Sequence, residues 1–302
     1  MRIKGDPKMK AIQYDTMVKA NHPLKLALFS DGHIDNPNFD EATFTEHAKY
    51  CLKGGYYMLF GGDLFDGIIR TDHKRAVNSL LESGDNQLNI KLNRVYELLK
   101  PYQKQILFIG RGNHEESLLK YNGFDILEEL VRILNMGQSH QIVLGNYANF
   151  IRFSFKNKSG KGVAHYDIYQ NHGMGGSAPV TKGMIDFNRI AKGVNADLIW
   201  IGHKHQAIID ASDPIMYINK TGEIVLKNRQ CIMTPSYQKG RTIDPNINFA
   251  ERMYSHTAIS GFGELILTPK KPKGMEYEIV PSLQLINKPT QILGQAQAAK
   301  IR

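Results

Sequence analysis

Along the chain, short apolar runs each lead into a polar cluster, and amphipathic stretches separate them. Leu24–Ser30 is apolar over the length of a strand and ends at Asp31-Gly32-His33. Apolar spacing through Phe44, Ala48, Cys51 and Leu52 predicts a helix over Glu41–Lys53, closed by Gly54-Gly55. Tyr56–Phe60 is a second buried strand and runs straight into Gly61-Gly62-Asp63. Leu88–Lys100 has the period of an amphipathic helix and stops at Pro101, which cannot continue one. Gln105–Ile109 is a third strand, ending in Gly110-Arg111-Gly112-Asn113-His114-Glu115, and Phe124–Leu134 is a further helix.

From Asn146 the pattern alternates. Tyr147–Phe155 and Gly162–Gln170 read as antiparallel partners with a turn at Lys156–Gly160, and the second ends at His172-Gly173. Met184–Lys192 is a helix, and Asp197–Ile201 is a strand opening onto Gly202-His203-Lys204-His205. Short strands are expected around Ile208, Ile215, Ile224, Ile232 and Leu265. Residues 1–23 read as a polar, irregular N-terminal extension and 24–268 as the main domain. Residues 269–302 read as a C-terminal segment with a strand at Tyr277–Val280 and a tail. Strands alternating with helices, then a run of strands, predict an α/β fold of layered mixed sheets flanked by helices.

At 302 residues the chain can bury a full core. Its apolar runs are too short to cross a bilayer, and no apolar stretch follows the basic residues near the N-terminus, so neither a membrane partner nor a secretory signal is expected. The two cysteines, Cys51 and Cys231, have apolar neighbours and read as buried free thiols, which points to the cytoplasm. A formal charge of +9 favours phosphate-rich partners, DNA or RNA among them. Oligomeric state is not specified by any feature of the sequence.

The chemistry lies in the placement of the clusters. Polar groups just beyond the carboxyl ends of strands in an α/β sheet converge on the crevice where ligands bind. Here those groups are Asp, His and Asn without cysteine, a donor set that suits Mn, Fe, Zn, Co or Ni better than calcium. In isolation, Asn113-His114 reads equally as a helix cap, and His203 with His205 as an exposed loop pair.

Taken in order, Asp31-Gly32-His33, Gly62-Asp63-Leu64-Phe65-Asp66, Gly112-Asn113-His114-Glu115, His172-Gly173 and Gly202-His203-Lys204-His205 resemble the calcineurin-like metallophosphoesterase family, in particular its small bacterial and phage-type members. The resemblance covers roughly Leu24 to Thr234 and implies that family's α/β/β/α sandwich, with 24–268 as the catalytic domain. It implies two divalent cations, manganese first among the candidates. One would be held by Asp31, His33 and His205, the other by Asn113, His172 and His203, with Asp63 bridging them. It further implies in-line attack on phosphorus by a water that both cations activate, with His114 as the catalytic acid and Asp66 orienting a neighbouring ligand. The second motif departs from the protein phosphatases, since Gly67 stands where they carry an arginine, and His33 continues into Ile34-Asp35 rather than their Gly-Gln.

The expected activity is a phosphodiesterase or nuclease acting on nucleic acid or nucleotides. A small-molecule phosphomonoesterase or pyrophosphatase is the second reading, and a non-catalytic scaffold of the same fold the third. Arg111 and His73 are candidate substrate contacts, His73 because Arg70, Lys74 and Arg75 surround it.

Overall fold

Leu26 and Leu28 project from one face of a six-residue strand, Ala27 and Phe29 from the other, and all four are buried. A strand buried on both faces requires a layer on each side. In this computed structural model, which describes residues 9–68, 87–176, 181, 183–218, 222–239, 260–273 and 276–287, those layers are a second sheet and a set of helices.

In chain order the elements begin with β1 (Met9–Met17), β2 (Leu24–Phe29), α1 (Glu41–Gly54), β3 (Tyr57–Phe60), α2 (Gln87–Leu99) and β4 (Ile106–Ile109). Then come α3 (Asn113–Asn122), α4 (Ile126–Asn135), β5 (Val143–Leu144), β6 (Ala148–Lys156), β7 (Gly162–Asn171) and α5 (Met184–Ala191). The chain continues through β8 (Leu198–Ile201), β9 (Ile208–Ile218), β10 (Ile224–Met233), β11 (Gly261–Lys270) and β12 (Glu278–Asn287). They form two six-stranded mixed sheets, ordered β12-β11-β2-β3-β4-β5 and β1-β6-β7-β8-β10-β9.

Leu26, Leu28, Leu59 and Phe108 from the first sheet pack against Ile151, Phe153, Ile168 and Trp200 from the second. Outside the first sheet, Ala27, Phe29, Met58 and Phe60 meet Phe44, Ala48 and Cys51 of α1, Val95 of α2 and Leu130 of α4. Outside the second, Ile199, Ile201 and Met233 meet Phe187 of α5. The expected α/β/β/α order is present, and each buried Leu, Ile or Phe contributes roughly 1.5–3 kcal/mol to it.

α1 begins where the Asp40 side chain accepts from Thr43 N–H and ends where Gly55 takes a left-handed conformation. Among the described residues, no helix is long and apolar enough to cross a membrane. Cys51 and Cys231 are free and buried, as expected.

The structure corrects the reading of the N-terminus. Met9–Met17 is not irregular: it pairs in parallel with β6 along its whole length, so this stretch belongs to the sheet. Ile12 and Tyr14 turn inward while Gln13 and Asp15 face solvent, an edge strand whose polar half hid it. Ile208 and Ile215 lie on one long strand, and Ile224 and Ile232 on its antiparallel partner, rather than on four short ones. The C-terminal strand is longer than Tyr277–Val280 and lies at Glu278–Asn287. Arg70, His73, Lys74, Arg75 and the tail from Gln291 lie outside the described residues.

Candidate metal centre

β2, β3 and β4 run parallel in one sheet, and β7 and β8 run parallel in the other. The polar cluster after each of these strands therefore emerges at its carboxyl end. The first two clusters lie side by side through backbone hydrogen bonds: Asp31 N–H donates to Gly62 O, and His33 N–H to Asp63 O, both at 3.0 Å. Across the sheets, His203 N–H donates to both carboxylate oxygens of Asp31 at 2.9 Å.

Backbone conformation sets the candidate ligand side chains apart from their neighbours. Asp31, His33, Asp63, His203 and His205 all have positive φ, between 43° and 66°, and Asn21 is the other non-glycine residue in this class among the described residues. Each such residue costs roughly 1–3 kcal/mol and persists only where its surroundings over-determine it. Gly62 and Gly202 permit the close approach. A Cβ on Gly62 would sit 2.6 Å from His172 Nδ1, and one on Gly202 would sit 2.7 Å from Asp31 Oδ2.

Asp63 is central. Its Oδ2 lies 3.0 Å from His172 Nε2, 3.8 Å from His114 Nε2 and 4.0 Å from His33 Nε2. Asn113 Oδ1 is 3.1 Å from His172 Nε2, His205 Nε2 is 3.4 Å from Asp31 Oδ1, and His33 Nε2 is 3.4 Å from His205 Nε2. Three overlapping groups could each hold a cation: Asp31–His33–His205, His33–Asp63–His114 and Asp63–His172–His203. Imidazole nitrogens and carboxylates packed this closely, with His33, Asp31, Asp63 and His172 all buried, fit a divalent metal. All seven ligands expected from sequence thus gather in one cluster.

The electrostatics point the same way. Burial opposes ionisation of Asp63, but the charges of His172, His114 and His33 outweigh it and hold the carboxyl well below its usual range. Burial pushes the other way on His172, yet Asp63, Asp31 and Glu115 lift it to about 9. Its Nδ1 is 3.2 Å from Gly61 O, which can only accept. Nδ1 therefore donates there, and Nε2 is left facing Asp63 Oδ2 at 3.0 Å. Burial and His172 depress the pKa of His203 below the usual imidazole value.

A buried polar layer supports the ligands. Asp66 Oδ1 sits 3.2 Å from His33 Nδ1 and 3.4 Å from His114 Nδ1, while Asn36 donates to Asp66 Oδ2 at 2.9 Å. Burial opposes ionisation of Asp66, but His33 and His114 bring it to about 2. Glu115, in the first turn of α3, accepts from Gly112 N–H at 2.8 Å, Phe65 N–H at 2.9 Å and Asp63 N–H at 3.2 Å. Burial and the Asp63 charge raise it to about 7. Asp35 accepts from Asp66 N–H and Gly67 N–H and pairs with the buried Lys91 at 3.0 Å.

Sequence reasoning did not assign Glu115, Asp35 or Lys91 to the centre. Glu115 stands inside a motif and Asp35 follows one, whereas nothing local marks Lys91. Arg111, a candidate substrate contact, forms a two-bond pair with Asp125 at the start of α4, one of the bonds at 2.9 Å.

No family model matches the chain, and no curated protein matches it. Among solved structures it is similar to GAP50, the anchor in the inner membrane complex of Plasmodium, at 10% identity, covering 90% of each chain with a TM-score of 0.41. It is similar to the calcineurin-like phosphoesterase YfkN from Bacillus subtilis at 10% identity, covering 88% of this chain and 90% of that one, TM-score 0.39. Vps29 from Chaetomium thermophilum is similar at 10% identity, covering 88% of this chain and 98% of that one, TM-score 0.30. By its motifs, and by the side chains they bring together, the chain resembles the calcineurin-like metallophosphoesterases.

Proposed function

We propose that this protein hydrolyses phosphate esters at a centre for two divalent cations, and that its substrate is a phosphodiester of nucleic acid or a nucleotide. The observation that carries this reading is the gathering of Asp31, His33, Asn113, His172, His203 and His205 around the buried Asp63, with His114 beside it. Asp31, His33 and His205 would hold one cation, Asn113, His172 and His203 the other, and Asp63 both. When bound, the cations supply Lewis-acid charge to the phosphoryl oxygens and acidify water. Manganese suits the mixed nitrogen and oxygen donors, as do iron, zinc, cobalt and nickel.

His114 is placed to move a proton. Its Nδ1 is 2.6 Å from Asp66 O, a carbonyl that can only accept, so Nδ1 carries hydrogen and Nε2 faces Asp63. In-line attack of water on phosphorus forms one P–O bond and breaks the ester P–O bond. The leaving oxygen takes the Nε2 proton of His114 in its doubly protonated, imidazolium form, and the proton released by the water restores that form through solvent. Asp66 holds the His114 and His33 rings to this orientation. The +9 charge of the chain favours a polyanionic substrate. Buried free thiols at Cys51 and Cys231 suit a reducing compartment such as the cytoplasm.

The test is a screen of manganese-loaded protein against single- and double-stranded DNA, RNA, bis-(p-nitrophenyl) phosphate and p-nitrophenyl phosphate. Diesters should turn over, and His114→Ala should lower kcat by about 10²–10⁴-fold with metal content unchanged. Absence of turnover on every diester removes the diester reading, and a preference for the monoester selects a phosphomonoesterase.

Metal should also stabilise the fold. A cation at 100 times its dissociation constant adds about 2.7 kcal/mol per site. Manganese should therefore raise the melting temperature of chelator-stripped protein, and an unchanged melting curve would count against any bound cation.

A further inference from the structure

Lys204 lies between two ligands in the chain, yet its side chain turns away from solvent and is 4% exposed. Its Nζ is 2.5 Å from Met174 O, 2.8 Å from Gly175 O and 2.9 Å from Gly176 O, and 3.3 Å from Asp186 Oδ2 on α5. An ammonium has three hydrogens to donate, and three successive carbonyls take them. The carbonyls belong to the loop that directly follows His172. The Gly175 carbonyl has a second partner: His203 Nε2 stands 3.1 Å from it. A carbonyl cannot donate, so Nε2 carries the hydrogen and Nδ1 keeps its lone pair. The oxygen that fixes the tautomer of His203 is therefore one that Lys204 grips.

We propose that Lys204 is a positioning residue for one half of the metal centre. By clasping residues 174–176 it holds the Gly175 carbonyl against His203 and anchors the chain leaving His172, so that both rings present ligand nitrogens toward Asp63. The inference rests on the two-cation reading. Lys204 has its donors engaged inside the protein and takes no part in catalysis itself. Groups that orient metal-bound histidines through their second nitrogen typically contribute 10–100-fold to metal affinity.

The sign of the effect separates this role from plain electrostatics. Removing a positive charge near a cation site, by Coulomb's law alone, tightens cation binding. Loss of a clasp weakens it. Manganese titration of the metal-free full chain by calorimetry reads this directly, without turnover. Wild type should show two binding events. Lys204→Met should weaken one of them about 10–100-fold and leave the other within about threefold. Saturating manganese should then restore kcat to within a few fold of wild type, so the loss appears in the metal requirement.

Unchanged or tighter binding in Lys204→Met overturns the proposal. So does an equal weakening of both events alongside a lowered melting temperature of the metal-free protein, which is what a merely structural tie produces. If Lys204→Met does not fold, Lys204→Gln decides: it removes the same charge and keeps at most two donors, so one weakened event supports the clasp, and unchanged or tighter binding overturns it. A wild-type protein that binds no manganese overturns the two-cation reading itself, an outcome distinct from a normal wild type with an indifferent Lys204 variant.

Discussion

Asp63→Asn should abolish turnover, by about 10³-fold or more, and leave the protein unable to hold two cations together. The substitution keeps the shape of the side chain and removes its charge. Asp63 is 1% exposed and has imidazole nitrogens of His172, His114 and His33 within 4.0 Å. It is the carboxylate shared by two of the three candidate cation groups, His33–Asp63–His114 and Asp63–His172–His203. Asp66→Asn is the graded comparison. Asp66 touches the ligand His33 rather than sitting between cation groups, and its loss should cost about 10–100-fold in metal affinity. Metal content by elemental analysis, measured beside turnover, checks both. An Asp63→Asn protein that retains two cations and most of its activity would sink the assignment.

The same variant carries a pH signature in the metal-free state. Burial depresses the His172 pKa, but Asp63 is the largest influence raising it, and the folded value is about 9 against an ordinary 6.5. A group whose folded pKa is raised contributes stability that is fully present below its unfolded pKa and is lost as pH rises through the folded one. Melting temperature of chelator-stripped wild type should therefore carry a His172 contribution that falls between pH 6.5 and 9. Asp63→Asn should flatten that interval, and identical profiles would show that the pair does not contribute.

What the sequence revealed and what it concealed follow from locality. Most candidate ligands follow an apolar run and His172 ends an alternating strand, and an aspartate or histidine just after a strand is visible without knowing the fold. The grouping of these side chains into one ligand set comes instead from the resemblance of their motifs to the calcineurin-like metallophosphoesterases. Contacts made across the fold left no such trace. Lys91 reaches Asp35 from a different helix, and only the folded chain brings them to 3.0 Å. Helix α3 escaped notice because its first turn is Asn113-His114-Glu115-Glu116, and the buried side chains it contributes are few, Glu115 and Leu118 among them.

The sequence predicts only fragments of the long strands β9 and β10 because much of their length is solvated. Met216, Ile218, Ile224 and Leu226 are each about 70% exposed, so no core demanded a regular alternation there. The positive φ angles at the ligands are invisible in sequence for a different reason. Aspartate and histidine tolerate that region better than most residues, and hydrogen bonds between neighbouring loops from Asp31, His33 and His203 N–H tie three of the five there.

Gly112→Ala should be the most disruptive glycine-to-alanine change among the described residues. Gly112 has φ −116° and ψ −176°, an extended conformation that alanine adopts freely, so backbone strain plays no part. The obstacle is Asp63. A Cβ at position 112 would lie 2.1 Å from Asp63 Oδ1 and 2.4 Å from Asp63 N, distances no real carbon occupies. Nor can Asp63 move aside cheaply. Its N–H donates to Glu115, its carbonyl accepts from His33 N–H, and its Oδ1 accepts from His114 N–H at 3.0 Å. Relief requires the loop carrying Asp63 to part from the start of α3, which carries Asn113 and His114.

Overpacking of this kind costs about 1–3 kcal/mol or more, and here the cost falls on the geometry of the centre. Gly123→Ala, at the other end of the same helix, supplies the contrast. Gly123 has φ 65° with open space around it, so alanine there should cost about 1 kcal/mol of stability and leave metal binding untouched. Calorimetric manganese titrations and thermal melts of the two variants should therefore separate. Both lose stability, but only Gly112→Ala loses the cation site that Asn113 serves, and wild-type metal affinity in Gly112→Ala would show that Asp63 and Asn113 do not act on a common centre.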